Sequence, residues 1–214
     1  MQPFIFHTVP KLVSANDSTL DIAEHCRGLG IRQPLFVTDP GLVSIGLIPP
    51  IIKAMADDGI EPLLFDQVRE DPPEDVVLAA AELARGSGVD GVVAVGGGSS
   101  MDVAKVVAVL LGGEQQLADI YGVDSIKGDR LPLILAPTTA GTGSESTPVA
   151  VITTGATTKA GISSAILLPD IALLDARLTL GLPPNVTAMT GIDAMVHAIE
   201  AYTSRHKKNP LSDN

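Results

Sequence analysis

The chain has a single cysteine, Cys26, which excludes an intrachain disulfide and a Cys-based zinc site. Burial in the core is its expected role, and a reducing compartment, the cytoplasm, is the expected location. Tryptophan is absent and aromatic residues make up only 3% of the chain, which argues against recognition of bases by stacking. Basic residues are scarce as well, 14 against 25 acidic ones, and the formal charge of −11 would repel a phosphate backbone. Nucleic acid is therefore not an expected partner. The longer apolar runs are broken by Gly, Pro or charge before a membrane-spanning length, and no basic leader precedes an apolar core at the N-terminus. A soluble protein with no membrane partner is expected.

What is present is an apolar fraction of 45% drawn mainly from Val, Ile, Leu and Ala, the material of parallel sheets buried on both faces. A chain of 214 residues can bury one good core, or one domain and the beginning of a second.

The most informative stretch runs from Val89 to Lys105. Residues 89–95 lack polar alternation and read as a buried strand; Gly96, Gly97 and Gly98 then turn the backbone with no Cβ in a ligand's way. Ser99 is the expected N-cap of a helix starting near Ser100, whose unpaired amides and positive dipole end would receive a pyrophosphate. A merely flexible turn is the alternative, but strand, glycines, cap and an Ala-rich helix agree in order. The spacing is not the Gly-x-Gly-x-x-Gly fingerprint.

Elsewhere, strand and helix alternate. Pro34 to Thr38 reads as a strand, Asp39-Pro40-Gly41 as a turn, Ile48 to Asp58 as a helix and Glu61 to Phe65 as a further strand. Asp71-Pro72-Pro73-Glu74-Asp75 opens a helix to about Arg85. Leu131 to Pro137 is another short strand, followed by a loop of small and hydroxylated residues from Thr138 to Glu145. That loop reads equally well as a cofactor-approaching segment or a surface turn. Val149 to Thr153 and Ala172 to Asp175 read as edge strands, with Lys159 between them. The pattern predicts an α/β fold, a Rossmann-like doubly wound parallel sheet, over residues 1–180. Gly181-Leu182-Pro183-Pro184 marks a boundary, and residues 181–214 read as the start of an all-helical domain.

Within that segment, Val186 to about Ser204 reads as a helix with Asp193 and His197 on one face. An oxygen and an imidazole nitrogen on adjacent turns can chelate a divalent metal. Alone, the pair is more commonly a helix-surface Asp–His contact, and two ligands hold a metal weakly. His7 and His25 lie in the N-terminal domain; His206, beside Arg205, Lys207 and Lys208, reads as a solvated helix end.

Three motifs in order, Gly96-Gly97-Gly98-Ser99-x-x-Asp102-x-Ala104-Lys105, Pro137-Thr138-Thr139-Ala140-Gly141-Thr142-Gly143-Ser144-Glu145 and Gly191-Ile192-Asp193-Ala194-x-x-His197-Ala198-Ile199-Glu200, closely resemble those of the iron-containing (group III) alcohol dehydrogenases. The resemblance covers essentially the whole chain but only the N-terminal half or slightly more of a typical member, and so implies either a fragment or a chain that has lost the complete site. It implies a nicotinamide-binding α/β domain, a helical domain and a divalent metal in the cleft between them. By position, Gly96, Gly97, Gly98 and Ser99 would contact the cofactor pyrophosphate, while Thr138, Thr139 and Thr142 would line its ribose and nicotinamide end with Asp102 nearby. Lys159 and Leu178 align with further cofactor contacts, and Asp71 stands where the family usually has Asn before Pro. Asp39 would accept hydrogen bonds from the adenosine ribose and repel a 2′-phosphate, favouring NAD over NADP.

Asp193 and His197 would be the first two metal ligands and the catalytic residues, against the reading of the pair alone. The metal would be iron, with zinc, cobalt or manganese also compatible with Asp plus His. Family members supply two more histidines from further along the chain, and this sequence stops before them. The implied activity is hydride transfer between NAD and a small primary or secondary alcohol or diol, with an aldehyde or ketone in reverse. A nucleotide-binding protein without dehydrogenase activity is the competing expectation, and a glycerol dehydrogenase or maleylacetate reductase a related one. Apolar Ile192, Met195, Val196 and Ile199 are expected to be exposed and to invite homo-oligomerisation.

Overall fold

The structure, a computed structural model, describes residues 5–205 and Asn209. The reading made for His206, and the part of the 181–214 reading that falls on residues 206–208 and 210–214, lie outside the described residues.

Six strands form one parallel sheet: β1 (Lys11–Ser14), β2 (Pro34–Val37), β3 (Leu63–Phe65), β4 (Gly91–Gly96), β6 (Leu133–Pro137) and β9 (Ile171–Leu174), in the order β1-β9-β6-β4-β2-β3. Because side chains alternate across a strand, each central strand feeds two cores. Leu35, Val37, Val92, Ala94, Leu133 and Leu135 pack with α4 (Glu74–Ala84) and α5 (Gly98–Gly112) on one face. Phe36, Val93, Val95, Ile134 and Ala136 pack with α1 (Ile22–Gly28) and α3 (Ile48–Asp57) on the other. This is the expected Rossmann-like α/β arrangement. Cys26 lies in the second core, where burial pushes its thiol up to about 12, so it is chemically inert at neutral pH.

A smaller sheet, β5 (Gly122–Val123), β8 (Thr158–Ser163) and β7 (Val149–Thr154), extends the first core through Ala150, Ile152 and Ile162. Among the described residues no helix is long and apolar enough to cross a membrane.

Three expectations change. Ser99 is not the N-cap of α5: Gly97 holds that position in extended backbone, φ −75° and ψ −174°, and the helix starts at Gly98. With no side chain at the cap to accept the first-turn amides, those amides stay available. The strand near Ala172 is not an edge, because β1 pairs along its outer side in parallel register from Lys11 with Ile171 to Ser14 with Leu174. The strand at Val149 is an edge, but of the small sheet, where it forms an antiparallel hairpin with β8, and Lys159 lies on that partner strand.

Candidate functional site

The chain moves outward from β2 to β3, then returns past β2 to β4 and continues through β6 to β9. The strand order therefore reverses between β2 and β4, and in open α/β sheets ligands bind beyond the carboxyl ends of the strands at such a point. Asp39 follows β2 there. It N-caps α2 (Pro40–Ser44), its carboxylate accepting the Leu42 amide at 3.0 Å. Beside it, the Thr38 hydroxyl donates to the Val95 carbonyl at 2.8 Å and joins the ends of β2 and β4.

The glycine turn follows β4 directly. A Cβ on Gly98 would come within 2.9 Å of the Thr142 methyl, so glycine is what allows the 138–145 loop to close over the start of α5. The Thr138 amide donates to the Gly96 carbonyl at 2.9 Å, continuing the sheet into that loop. The Thr139 hydroxyl oxygen is buried beside Gly97 with no hydrogen-bond partner among the described residues. Buried hydroxyls are rarely left unpaired, and an ordered water or a bound polar ligand would supply the partner.

A cleft of about 830 Å³ opens between this turn, the small sheet and α6 (Pro184–Thr203). Its walls bring together Gly98, Ser99, Asp102 and Thr142 on the α5 side with Asp71 and Lys159 at the hairpin, facing Asp193 and His197 on α6. Asp39, Gly96, Gly97, Thr138, Thr139 and Leu178 do not line that cleft; Leu178 is 5% exposed and packs into the second core. Asp71 has φ +49°, a left-handed conformation that Asp and Asn tolerate better than other side chains. There its carboxylate meets Lys159 at 2.6 Å, while the Thr153 hydroxyl donates to its carbonyl at 3.0 Å. Both ionic side chains are more than half exposed, so this pair orders the hairpin more than it stabilises the fold.

None of the residues of α6 is buried. The helix touches the 138–145 loop where Gly141 meets Thr190; a Cβ there would lie 2.5 Å from the Thr190 carbonyl oxygen. This contact sets Asp193 and His197 toward the glycine turn. His197 Nε2 is 3.7 Å from Asp193 Oδ1, so the two donors converge and fit two positions of a divalent-metal site. Among the described residues no group of three or more His, Cys, Asp or Glu side chains completes such a site. As anticipated, Ile192, Met195, Val196 and Ile199 are exposed on the same helix.

Sequence reasoning quoted Lys105 within a motif and gave it no role. Its side chain is fully buried, and its ammonium donates to Ser144 Oγ at 2.9 Å, Thr147 O at 3.0 Å and Val149 O at 2.7 Å. Burial pushes it down to about 8, against the opposing pull of Asp102 and Glu145. Burial likewise raises the Asp102 carboxyl, opposed first by Lys105, then by the hydrogen bonds from Ser144 and Val151. The available signal was a lone charge inside the apolar run Val103-Ala104-Lys105-Val106-Val107. A helix buried this extensively leaves a lysine little access to water.

Residues 10–176 match the family model of the iron-containing alcohol dehydrogenases. The chain belongs to that family. The sulfoacetaldehyde reductase of Bilophila wadsworthia is 38% identical over 200 residues, which is 93% of this chain and 52% of that protein. The 4-hydroxybutyrate dehydrogenase of Cupriavidus necator is 43% identical over 185 residues, 85% of this chain and 48% of that protein. Among solved structures, a 1,3-propanediol oxidoreductase superposes with a TM-score of 0.93 at 32% identity, over 99% of this chain and 56% of that one. A sulfoacetaldehyde reductase from Bifidobacterium kashiwanohense, in complex with NAD+, gives 0.86 at 34% identity, over 95% of this chain and 54% of that one. The chain thus spans about half the length of the family relatives it matches.

Proposed function

We propose that this chain is the cofactor-binding portion, with the first metal-binding helix, of an NAD-dependent and metal-dependent alcohol dehydrogenase. The observation that carries this reading is a cleft in which an uncapped helix start, at Gly98 and Ser99, faces an Asp–His pair on α6. The relative solved with NAD+ supports the choice of cofactor. Residues 1–180 form the nucleotide domain in this reading, and residues 181–214 begin a helical one. The α5 amides would receive the pyrophosphate, the free Thr139 hydroxyl would turn to the cofactor, and Thr142 and Asp102 would flank its reactive end.

Asp193 and His197 would hold a divalent metal, iron or zinc, which when bound supplies Lewis-acid polarisation of a substrate oxygen. The walls of the cleft would orient a small alcohol, or the corresponding carbonyl compound, against the nicotinamide and keep water away from the hydride path. A cytoplasmic location accompanies this reading, consistent with one buried, unpaired cysteine.

The test uses the whole native protein: calorimetric titration with NAD+ and with NADP+, metal content, and oxidation of a panel of small alcohols followed by NADH formation. Saturable NAD+ binding, stoichiometric metal and turnover are the expected results. NAD+ binding without metal or turnover would favour a nucleotide-binding protein that is not a dehydrogenase, and absence of NAD+ binding would overturn the reading. Cofactor choice has its own variant. Asp39→Gly should lower the NAD+ over NADP+ preference by about tenfold, because it removes the carboxylate that would repel a 2′-phosphate; an unchanged ratio would show that Asp39 does not discriminate.

A further inference from the structure

We propose that Lys105 is a positioning residue for the cofactor wall of the cleft, acting through Ser144 and Asp102 without touching a ligand. The inference rests on the NAD-binding reading for its functional consequence, but its geometry stands independently. Asp102 and Lys105 occupy successive turns of α5 on one face, three residues apart. Asp102 lines the cleft with its side chain 14% exposed, whereas Lys105 has none.

The three ammonium protons of Lys105 match three close acceptors: the Ser144 hydroxyl, the Thr147 carbonyl and the Val149 carbonyl. Having accepted from Lys105, the Ser144 hydroxyl donates its own proton to Asp102 Oδ1 at 2.7 Å. The other carboxylate oxygen accepts the Val151 amide at 2.9 Å. One turn of α5 therefore grips Ser144, Thr147, Val149 and Val151, and all four line the cleft. The segment that leads from the hydroxyl-rich loop into β7 is held by this cation and its carboxylate together.

Stability alone does not explain a charge at this place. A buried ion pair is often no more stabilising than an apolar side chain of similar volume, since desolvation offsets the attraction. Its neighbours along α5, Val103, Ala104, Val106 and Val107, all belong to the first core, and a methionine there would carry no charge to desolvate. What methionine could not do is direct three acceptors from one segment and hand a proton-donating hydroxyl to Asp102. The charged groups facing Lys105 are Asp102 on its own helix and Glu145 on the loop.

The experiment compares Lys105→Met, Ser144→Ala, Asp102→Asn and the Lys105→Met/Asp102→Asn double variant in the whole native protein. It reads the Kd for NAD+, thermal unfolding and hydrogen exchange at the Val151 amide. Lys105→Met and Ser144→Ala are each expected to weaken NAD+ binding, the former by about tenfold or more. The Val151 amide should exchange faster in both. Because Lys105 acts through Asp102, its effect and that of Asp102→Asn should not multiply in the double variant.

Should Lys105→Met fail to fold, the charge-balanced double variant and Ser144→Ala carry the comparison. NAD+ affinities within about twofold of the parent, or effects that multiply, would overturn the positioning role. If the parent protein itself bound no NAD+, that would count against the functional reading alone. Val151 exchange would then decide the positioning role, and parent-like exchange in Lys105→Met and Ser144→Ala would overturn it.

Discussion

Replacing His197 with alanine in the whole native protein is expected to lower kcat by about three orders of magnitude or more while NAD+ affinity changes by less than about threefold. The asymmetry follows from where the residue stands. His197 lies on α6, one turn beyond Asp193, and its Nε2 converges with Asp193 Oδ1 at 3.7 Å on the wall opposite the glycine turn. Removing the imidazole takes away one donor of the proposed metal pair and leaves Gly97, Gly98 and the α5 amides in place. The measurements are steady-state turnover, NAD+ titration and metal content on the same sample. Retained turnover with unchanged metal content would remove His197 from the site. A loss of NAD+ affinity above about tenfold would place it with the cofactor contacts instead.

Asp175→Ala is expected to destabilise the chain by about 3 kcal/mol, a large share of the stability of a domain this size. Asp175 is 3% exposed. One carboxylate oxygen accepts the amides of Asp17 and Arg177, both at 3.1 Å; the other accepts the Thr19 hydroxyl at 2.8 Å and the Thr19 amide at 3.4 Å. Alanine would leave the buried Thr19 hydroxyl and several amides without acceptors, and it would release the segment after β1 from the end of β9. Urea unfolding should show a lower midpoint with an unchanged slope, and Asp175→Asn should lose less because one oxygen remains. A loss under about 1 kcal/mol for the alanine variant would mean that water replaces the carboxylate.

Local pattern was enough wherever an element announced itself within a few residues. The run Val92 to Val95 followed by three glycines placed β4, the turn and α5 at the correct point of the chain. The four-residue spacing of Asp193 and His197 put both on one helical face. The helices at 48–57 and 74–84 were readable from their prolines, acids and apolar spacing. Even there the cap was misassigned, because Ser99 is the better capping residue by propensity whereas Gly97 is the one in extended backbone. β1 escaped notice because Lys11–Ser14 is four residues long with a charge at its start. Its place in the sheet comes from β9, whose partner residues begin 160 positions later, Lys11 against Ile171. β8 escaped for a similar reason: Thr158–Ser163 mixes Thr, Lys and Gly, and only its antiparallel pairing with β7 makes it a strand.

The sequence by itself determined the α/β alternation, the glycine turn at the head of α5 and the residues that carry the family resemblance, since each depends on backbone preference and spacing within one or two turns. Tertiary structure alone decided that the β2–β4 reversal lies beside the turn, that Asp71 pairs with Lys159 across 88 positions, and that Lys105 finds its acceptors 39 to 44 residues away. Those contacts depend on strand order and on the closure of long loops, whose free energy comes from burying both faces of the sheet and not from any local segment.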